Sequence, residues 1–432
     1  MSLDSIFQSK AVQKLQALGA WMQANKTLNA ISSGMMAILS LLLAGAIFMI
    51  LATILDLVGV IDATSPVYVW LVAPYNMTIG LLALAVSFCV GYSYTRNLDM
   101  KGELANGLVC MFLFIMVAAP VETLVLEGGA TTSAIQTSFL GSSGLFPAMI
   151  LPLLIVRIIK LCQDKHLTIS MPDSVPQFLQ DSFTALIPLV INIVLWCGLD
   201  TACKSAIGVG IPAAIIGLLS APLGALTSIP GVLVLVILCT LFWSFGIHGA
   251  AITGIVVYPL LMAAMTHNAE LVAAGMPPEF VPILLFGVVS CCGGAGNVVS
   301  LAVHCMRSKS EQLKAIGKAG IIPSLFNISE PMLFGVPIMY NPIIIIPFIL
   351  NPIIIFFIVW AGYAFGFFQP GYILIMTQLP IFAAQFFASM AWQNLLIAPI
   401  GFIVSFLVYA PFVKMYDKQL LEQEAAAASS EE

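Results

Sequence analysis

Apolar stretches with almost no charge, about as long as a bilayer core is thick, recur along this chain, and they decide what it can become. The regular ones cover residues 31–55, 69–95, 104–120, 143–163 and 182–203, and a more broken series follows. Only 8% of the 432 residues are charged while 60% are hydrophobic, and the mean hydropathy is +1.06. Hydrocarbon leaves no water for an unpaired backbone group, so each stretch must cross as a helix that satisfies its own backbone. The expected fold class is all-α integral membrane. This composition excludes a soluble catalytic domain, and no nucleic-acid partner is expected.

The two ends read differently from the middle. Residues 1–27, with Lys10, Lys14 and Lys26 against Phe7, Val12, Leu15, Leu18 and Trp21, read as an amphipathic helix lying on the membrane surface, not a cleaved leader. Residues 416–432 hold Glu422, Glu424, Glu431 and Glu432 in an Ala/Ser/Glu stretch and are expected to be a disordered cytoplasmic tail. The 9 cysteines are scattered through apolar runs without ligand spacing and read as reduced, buried, small hydrophobes. His166, His248, His267 and His304 lie far apart, so neither a metal site nor a cofactor is expected.

Basic residues fall in alternate loops: Arg96 and Lys101, then Arg157, Lys160 and Lys165, then Arg307, Lys309, Lys314 and Lys318. The loops between them, 56–68, 121–140, 265–280 and 361–380, carry no Lys or Arg. The positive-inside rule puts both termini and the basic loops in the cytoplasm. Segment 229–264 is too long for one straight span and is interrupted by Gly246, Gly249 and Gly254. Segments 281–305, 342–360 and 393–413 cross, while 207–227, broken by Pro212 and Pro222, either crosses or lies flat. For the signs to close, 320–340 and 371–391 must each be a re-entrant hairpin, giving about ten spans besides the two hairpins. The domains expected are 1–27 (interfacial helix), 28–205 (scaffold), 206–228 (connector), 229–415 (solute handling) and 416–432 (tail). The hydrophilic segment 164–181 is the natural place for a soluble partner or a hinge.

Three stretches could carry chemistry. A carboxylate at bilayer depth costs at least about 2.5–3.5 kcal/mol, which directs attention to Glu330 in Ser324–Gly335. Pro331 should push Glu330 out of the α region, and Asn327, Ser329 and Glu330 also suit a helix start, so a cap and a solute contact are both open. His248, between Gly246 and Gly249, either offers its ring to a hydroxyl or packs against a carbonyl. Cys292–Asn297, which includes Gly293, Gly294 and Gly296, is either a helix-packing face or an opened helix whose amides meet solute. Trp243, Phe245, Phe326, Phe334 and Trp392 could stack on a sugar, or simply face lipid or core.

F-G-I-H-G-A (245–250), G-G-A-G (293–296) and F-N-I-S-E-P-M-L-F-G-V-P-I (326–338) resemble, in order and spacing, the signatures of one transporter family. It is enzyme IIC, the membrane component of the lactose/cellobiose/diacetylchitobiose branch of the bacterial sugar phosphotransferase system. The stretches 171–176, 183–188, 341–350 and 409–413 are similar to the same family. The resemblance implies a homodimeric permease in the bacterial cell membrane. Its substrate would be a disaccharide, phosphorylated by a separate cytoplasmic IIB protein with IIA upstream. It also implies that His248 and Glu330 hydrogen-bond the sugar near the hydroxyl to be phosphorylated, with Gly249, Gly294, Gly296, Asn297 and Asn327 completing the binding site. Asn297-Val298-Val299 departs from the small residues and Thr that often follow G-G-x-G, and Asn297 is expected to meet a hydroxyl or acetamido group. The competing reading from another class is a secondary transporter in which Glu330 carries a proton.

Overall fold

The computed structural model describes residues 10–62, 64–125, 131–169, 172, 174–336, 338, 341–375 and 379–430. Parts of the expected interfacial helix (1–9) and of the 371–391 hairpin (376–378) lie outside them. The chain forms two compact units. One comprises Ala24–Gly224 with Ala269–Met276, and the other Met1–Gln23, Ala225–Asn268 and Pro277–Glu432.

Helix α1 (Lys10–Ala24) gives way to α2 (Lys26–Ala37) at Asn25, whose side chain accepts the N–H groups of Thr27 and Leu28. With α3 (Leu39–Leu57), α2 makes the first long apolar rod. Helix α4 (Pro66–Gly80) starts at a Ser65 cap with proline in its first turn and bends by 46° into α5 (Leu82–Asn97). Helix α6 (Glu103–Ala118) follows, then a β-hairpin in which Val121–Val125 pairs antiparallel with Thr131–Ile135. Helices α7 (Leu145–Asp164) and α8 (Gln177–Ile207) complete the first unit's long spans. The close α2–α5 packing depends on Gly34, where a Cβ would collide with the Val90 backbone. Glu270 is held in the same unit by the N–H and hydroxyl of Ser142.

Helix α9 (Ile211–Thr227), which lies mostly in the first unit, buries only Ile211 and Pro212, and α10 (Ile229–Ser244) opens the long helices of the second. The second unit continues with α11 (Gly249–Ala273), the short α12 (Leu284–Val288) and α13 (Val298–Arg307). Then come α14 (Glu311–Leu325), the six-residue α15 (Glu330–Gly335), α16 (Pro342–Ala364), α17 (Ile381–Ser389) and α18 (Ile397–Ser430). Its buried core joins Trp243, Leu301, Met332, Phe348 and Tyr409 from five of these helices.

The all-α membrane class holds, with the small hairpin as an addition. The span count differs: among the described residues, 6 helices are long and apolar enough to cross, or up to 8 counting each bent pair as one. Segment 104–120 is shorter than expected because α6 stops at Ala118, before Pro120. Segment 281–305 is not one helix, because its glycines open the chain between Val289 and Asn297. At 320–340 the chain breaks at 326–329 and folds back, α15 packing on α14 with Met332 against Gly320, and α13 and α14 also pack on each other. Around 371–391, the Tyr372 and Ile373 N–H groups donate forward to the Ala388 carbonyl near the end of α17, so non-helical chain lies beside that single helix. The expected disordered tail is instead helical through Ser430, in keeping with its alanine run and the Lys418–Glu422 pair one turn apart.

Candidate sugar-binding site

The first element of the site is the break between α10 and α11. Helix α10 ends where Gly246 turns left-handed (φ 77°), and the Ile247 N–H reaches back to the Phe242 carbonyl. His248 then opens α11, its Nδ1 accepting the Ala251 N–H at 3.0 Å. A nitrogen that accepts carries no proton, so in the neutral ring the proton is on Nε2, which is left as a donor. The ring packs against buried Trp243 with centroids 4.3 Å apart. Gly249 is obligatory here, because a Cβ would run into the Cys239 carbonyl and the Trp243 ring. The ring packs, as one reading of His248 expected, but its partner is the Ala251 N–H and not a carbonyl, and Nε2 faces Glu330.

The second element is the loop from Cys291 to Asn297. Gly293, Gly294, Gly296 and Asn297 all have positive φ, which opens the chain between α12 and α13. Asn297 closes the loop from inside: its Oδ1 accepts the Cys292 N–H at 2.9 Å and its Nδ2 donates to the Val289 carbonyl at 2.9 Å. It is completely buried. The structure thus turns Asn297 away from solute and gives it the task of holding the loop. Gly296 is buried too, with the Phe348 ring where a Cβ would stand and the Tyr409 hydroxyl donating to its carbonyl at 2.9 Å. Only Gly294, half-buried, remains near the open side.

The third element is the break between α14 and α15. Asn327 adopts φ 60° and its Oδ1 accepts from both the Gly293 and Gly294 N–H groups at 3.1 Å. One carboxamide therefore ties the third element to the second. Its Nδ2 has no partner among the described residues, and the residue is half-buried. Glu330 is the first residue of α15, not a residue outside it. A proline in the first turn removes an N–H that has no helical partner anyway, so Pro331 permits this start.

Glu330 Oε1 lies 3.7 Å from His248 Nε2, with side chains 41% and 48% exposed respectively. That distance is too long for a direct hydrogen bond and suits a charge-assisted contact or a hydroxyl bridging the two. The structure brings together His248, Glu330, Asn327 and Gly294. It places Gly249, Gly296 and Asn297 behind them as supports. Tyr409 and Phe348, which hold the loop from α18 and α16, were not singled out beforehand; each is an ordinary apolar-run aromatic in sequence. Trp243 was noted as a stacking residue and instead backs His248. Among the described residues no group of three or more His, Cys, Asp or Glu could hold a metal ion.

Comparison with known proteins gives this geometry its context. Residues 32–352 match the family model for the phosphotransferase system, EIIC. The lichenan permease IIC component of Bacillus subtilis is 30% identical over 427 residues, covering 95% of this chain and 94% of that one. A lactose-specific EIICB component of Streptococcus mutans is 29% identical across 94% of this chain and 72% of its own length. The solved transporter ChbC, the IIC component of a diacetylchitobiose-specific phosphotransferase system, superposes with a TM-score of 0.86. It is 26% identical, with 95% of this chain and 98% of that one covered. The family model reaches across both of the breaks that frame His248 and Glu330, and this chain belongs to the EIIC family of phosphotransferase-system sugar permeases.

Proposed function

We propose that this permease carries a disaccharide of the cellobiose, lactose or diacetylchitobiose type and presents its 6-hydroxyl to a phosphorylated IIB protein. The observation that carries the proposal is the pair His248 and Glu330, face to face at 3.7 Å and half open. The Nε2–H donates to the sugar hydroxyl, and the Glu330 carboxylate accepts that hydroxyl's proton. As the hydroxyl oxygen bonds to phosphorus, the bond from phosphorus to the IIB cysteine sulfur breaks and the thiolate leaves. The proton held on Glu330 passes to water or to that thiolate. Asn327 and the Gly294 backbone position the ring of the sugar.

Coupling comes from trapping, because the product is a charged sugar phosphate that leaves on the cytoplasmic side. In this reading the chain is a homodimer with both termini in the cytoplasm, Ala24–Gly224 is the scaffold, and IIA supplies IIB. The proton-coupled alternative finds no support in the family to which the chain belongs. The deciding experiment uses membrane vesicles supplied with phosphorylated IIB. Uptake of labelled sugar should survive collapse of the proton gradient and stop without phosphorylated IIB. A requirement for the gradient would sink the proposal. Competition by cellobiose, lactose and diacetylchitobiose then ranks the substrates.

A further inference from the structure

The turn that joins α5 to α6 borders a polar cavity of about 370 Å³ that lies wholly within the first unit. Its wall continues onto the start of α6, the end of α7 and the start of α8, and no residue of the sugar-binding site lines it. Helix α6 starts there without a cap. Gly102 takes the N-cap position with a left-handed backbone (φ 80°), no side chain accepts from the first turn, and a Cβ at Gly102 would meet nothing within 4 Å. The first-turn N–H groups have no carbonyl within the helix, so their acceptor must come from outside it. An uncapped helix start alone is met by water. Asn106, one turn on, asks for more. It lines the same cavity, is only 3% exposed, and its Nδ2 has no hydrogen-bond partner among the described residues. A buried donor without an acceptor is costly and uncommon, so it marks where an acceptor belongs.

The charges around the cavity have the matching sign. Lys101 and Lys160 line it, with Asp99 as the one carboxylate among the described lining residues. Asp99 is already held by Lys26 at 2.7 Å, and Lys160 has only the exposed Asp164, at 3.2 Å, as its competitor. Lys101 is exposed and forms no ion pair among the described residues. Three lysines against two carboxylates leave the cavity positive, and the start of α6 adds to the same sign. Helix α8 supplies wall without free donors: Gln180 Nε2 donates to the Pro172 and Val175 carbonyls, and the Thr184 hydroxyl donates to the Ile169 carbonyl.

We propose that this cavity is a phosphate-binding site, with Lys101, Lys160, Asn106 Nδ2 and the first-turn N–H groups of α6 as the groups that hold the anion. Ammonium groups and single, separated donors suit the tetrahedrally arranged oxygens of a phosphate. A carboxylate is better met by the paired N–H fork of arginine, and no arginine lines the cavity. The space is larger than a bare phosphate needs, so the group arrives on a larger body, either a soluble phosphate ester or the headgroup of a lipid. Once bound, it joins the start of α6 to the end of α7 and stabilises the first unit.

The test melts the full chain in phosphatidylcholine nanodiscs with glycerol 3-phosphate, against chloride at equal ionic strength, and again in discs that also contain phosphatidic acid. Saturating phosphate should raise the melting temperature by about 2–4 °C. A rise with glycerol 3-phosphate assigns a soluble ester, and a rise only with phosphatidic acid assigns a lipid headgroup. Lys101→Gln/Lys160→Gln should abolish the rise. Asn106→Leu, which replaces the orphaned donor by an apolar group of similar size, should melt no lower than the unaltered chain without phosphate and lose most of the rise with it. Lys165→Gln, on an exposed lysine outside the cavity, should keep it. No rise from either source, a full rise in the double lysine variant or in a folded Asn106→Leu, or an equal loss in Lys165→Gln overturns the site. No sugar and no IIB enter the measurement, so its failure leaves the function proposed above standing.

Discussion

Two of the helix breaks in this molecule, the one between α4 and α5 and the one between α10 and α11, are made in different ways. Between α4 and α5 the bend of 46° falls at Leu81, an apolar residue, and the nearby Ala83 N–H is taken by the Leu140 carbonyl at 2.8 Å. Between α10 and α11 the chain opens at Gly246 and puts His248 at the break, with one ring nitrogen spent on α11 and the other facing Glu330. A break whose freed backbone is repaid within the protein only bends a rod. A break that also holds a half-exposed polar side chain is a place where solute can be met. The two asparagines of the site repeat the contrast on a smaller scale. Asn297 has both carboxamide atoms bonded inward, and Asn327 only its oxygen.

The largest expected effect is at the open break. Glu330→Gln keeps the side chain's size and its ability to accept from His248, but removes the proton acceptor. Phosphorylation of bound sugar should fall by about 10²–10⁴-fold. Equilibrium binding of labelled sugar should change by less than about tenfold. Phosphorylation at the normal rate would remove Glu330 from the chemistry and leave it as a cap of α15.

The asparagines separate next. Glycine is the useful replacement at both, because it keeps the left-handed backbone and deletes only the carboxamide. Asn297→Gly strands the buried Cys292 N–H and Val289 carbonyl, at about 1–3 kcal/mol each, and should lower the melting temperature markedly. Asn327→Gly releases the Gly293 and Gly294 N–H groups at a half-buried position where water replaces the lost oxygen. Its melting temperature should hardly move, while sugar affinity falls by about tenfold. If the two variants melt alike and bind alike, the inward and outward assignments are wrong.

How much of this was legible in the sequence follows from the same contrast. Glu330 and His248 stand out because a polar residue in an apolar run is costly and cannot be idle. The opened chain at 293–296 is announced by three glycines that no ordinary helix wants. The facing of Asn297 was not legible. Whether an asparagine turns in or out is settled by the dihedral angles of the loop around it, and these depend on contacts such as the one between Tyr409 and Gly296, 113 positions apart. The span at 281–305 was misread for a related reason: hydropathy measures the cost of leaving water, not whether glycines let the chain stay helical. The Val121–Val125 and Thr131–Ile135 strands carry β-favouring residues, but five-residue segments without burial give hydropathy nothing to mark.

The smallest effect belongs to the closed break. Leu81→Ala removes an exposed side chain at the α4–α5 bend and touches no backbone bond, since the Ala83–Leu140 contact runs through main-chain atoms. Little buried apolar area is lost, so stability should change by less than about 1 kcal/mol, and uptake should stay within about twofold of the unaltered protein. A bend that served transport would behave otherwise, because shortening its apex residue would alter the angle between α4 and α5 and with it the rate of uptake. Melting and uptake measured on the same preparation distinguish the two. A normal melt with uptake reduced as severely as by Glu330→Gln would show that a break can work without any polar side chain, and the criterion that singled out His248 and Glu330 would no longer separate a site from a bend.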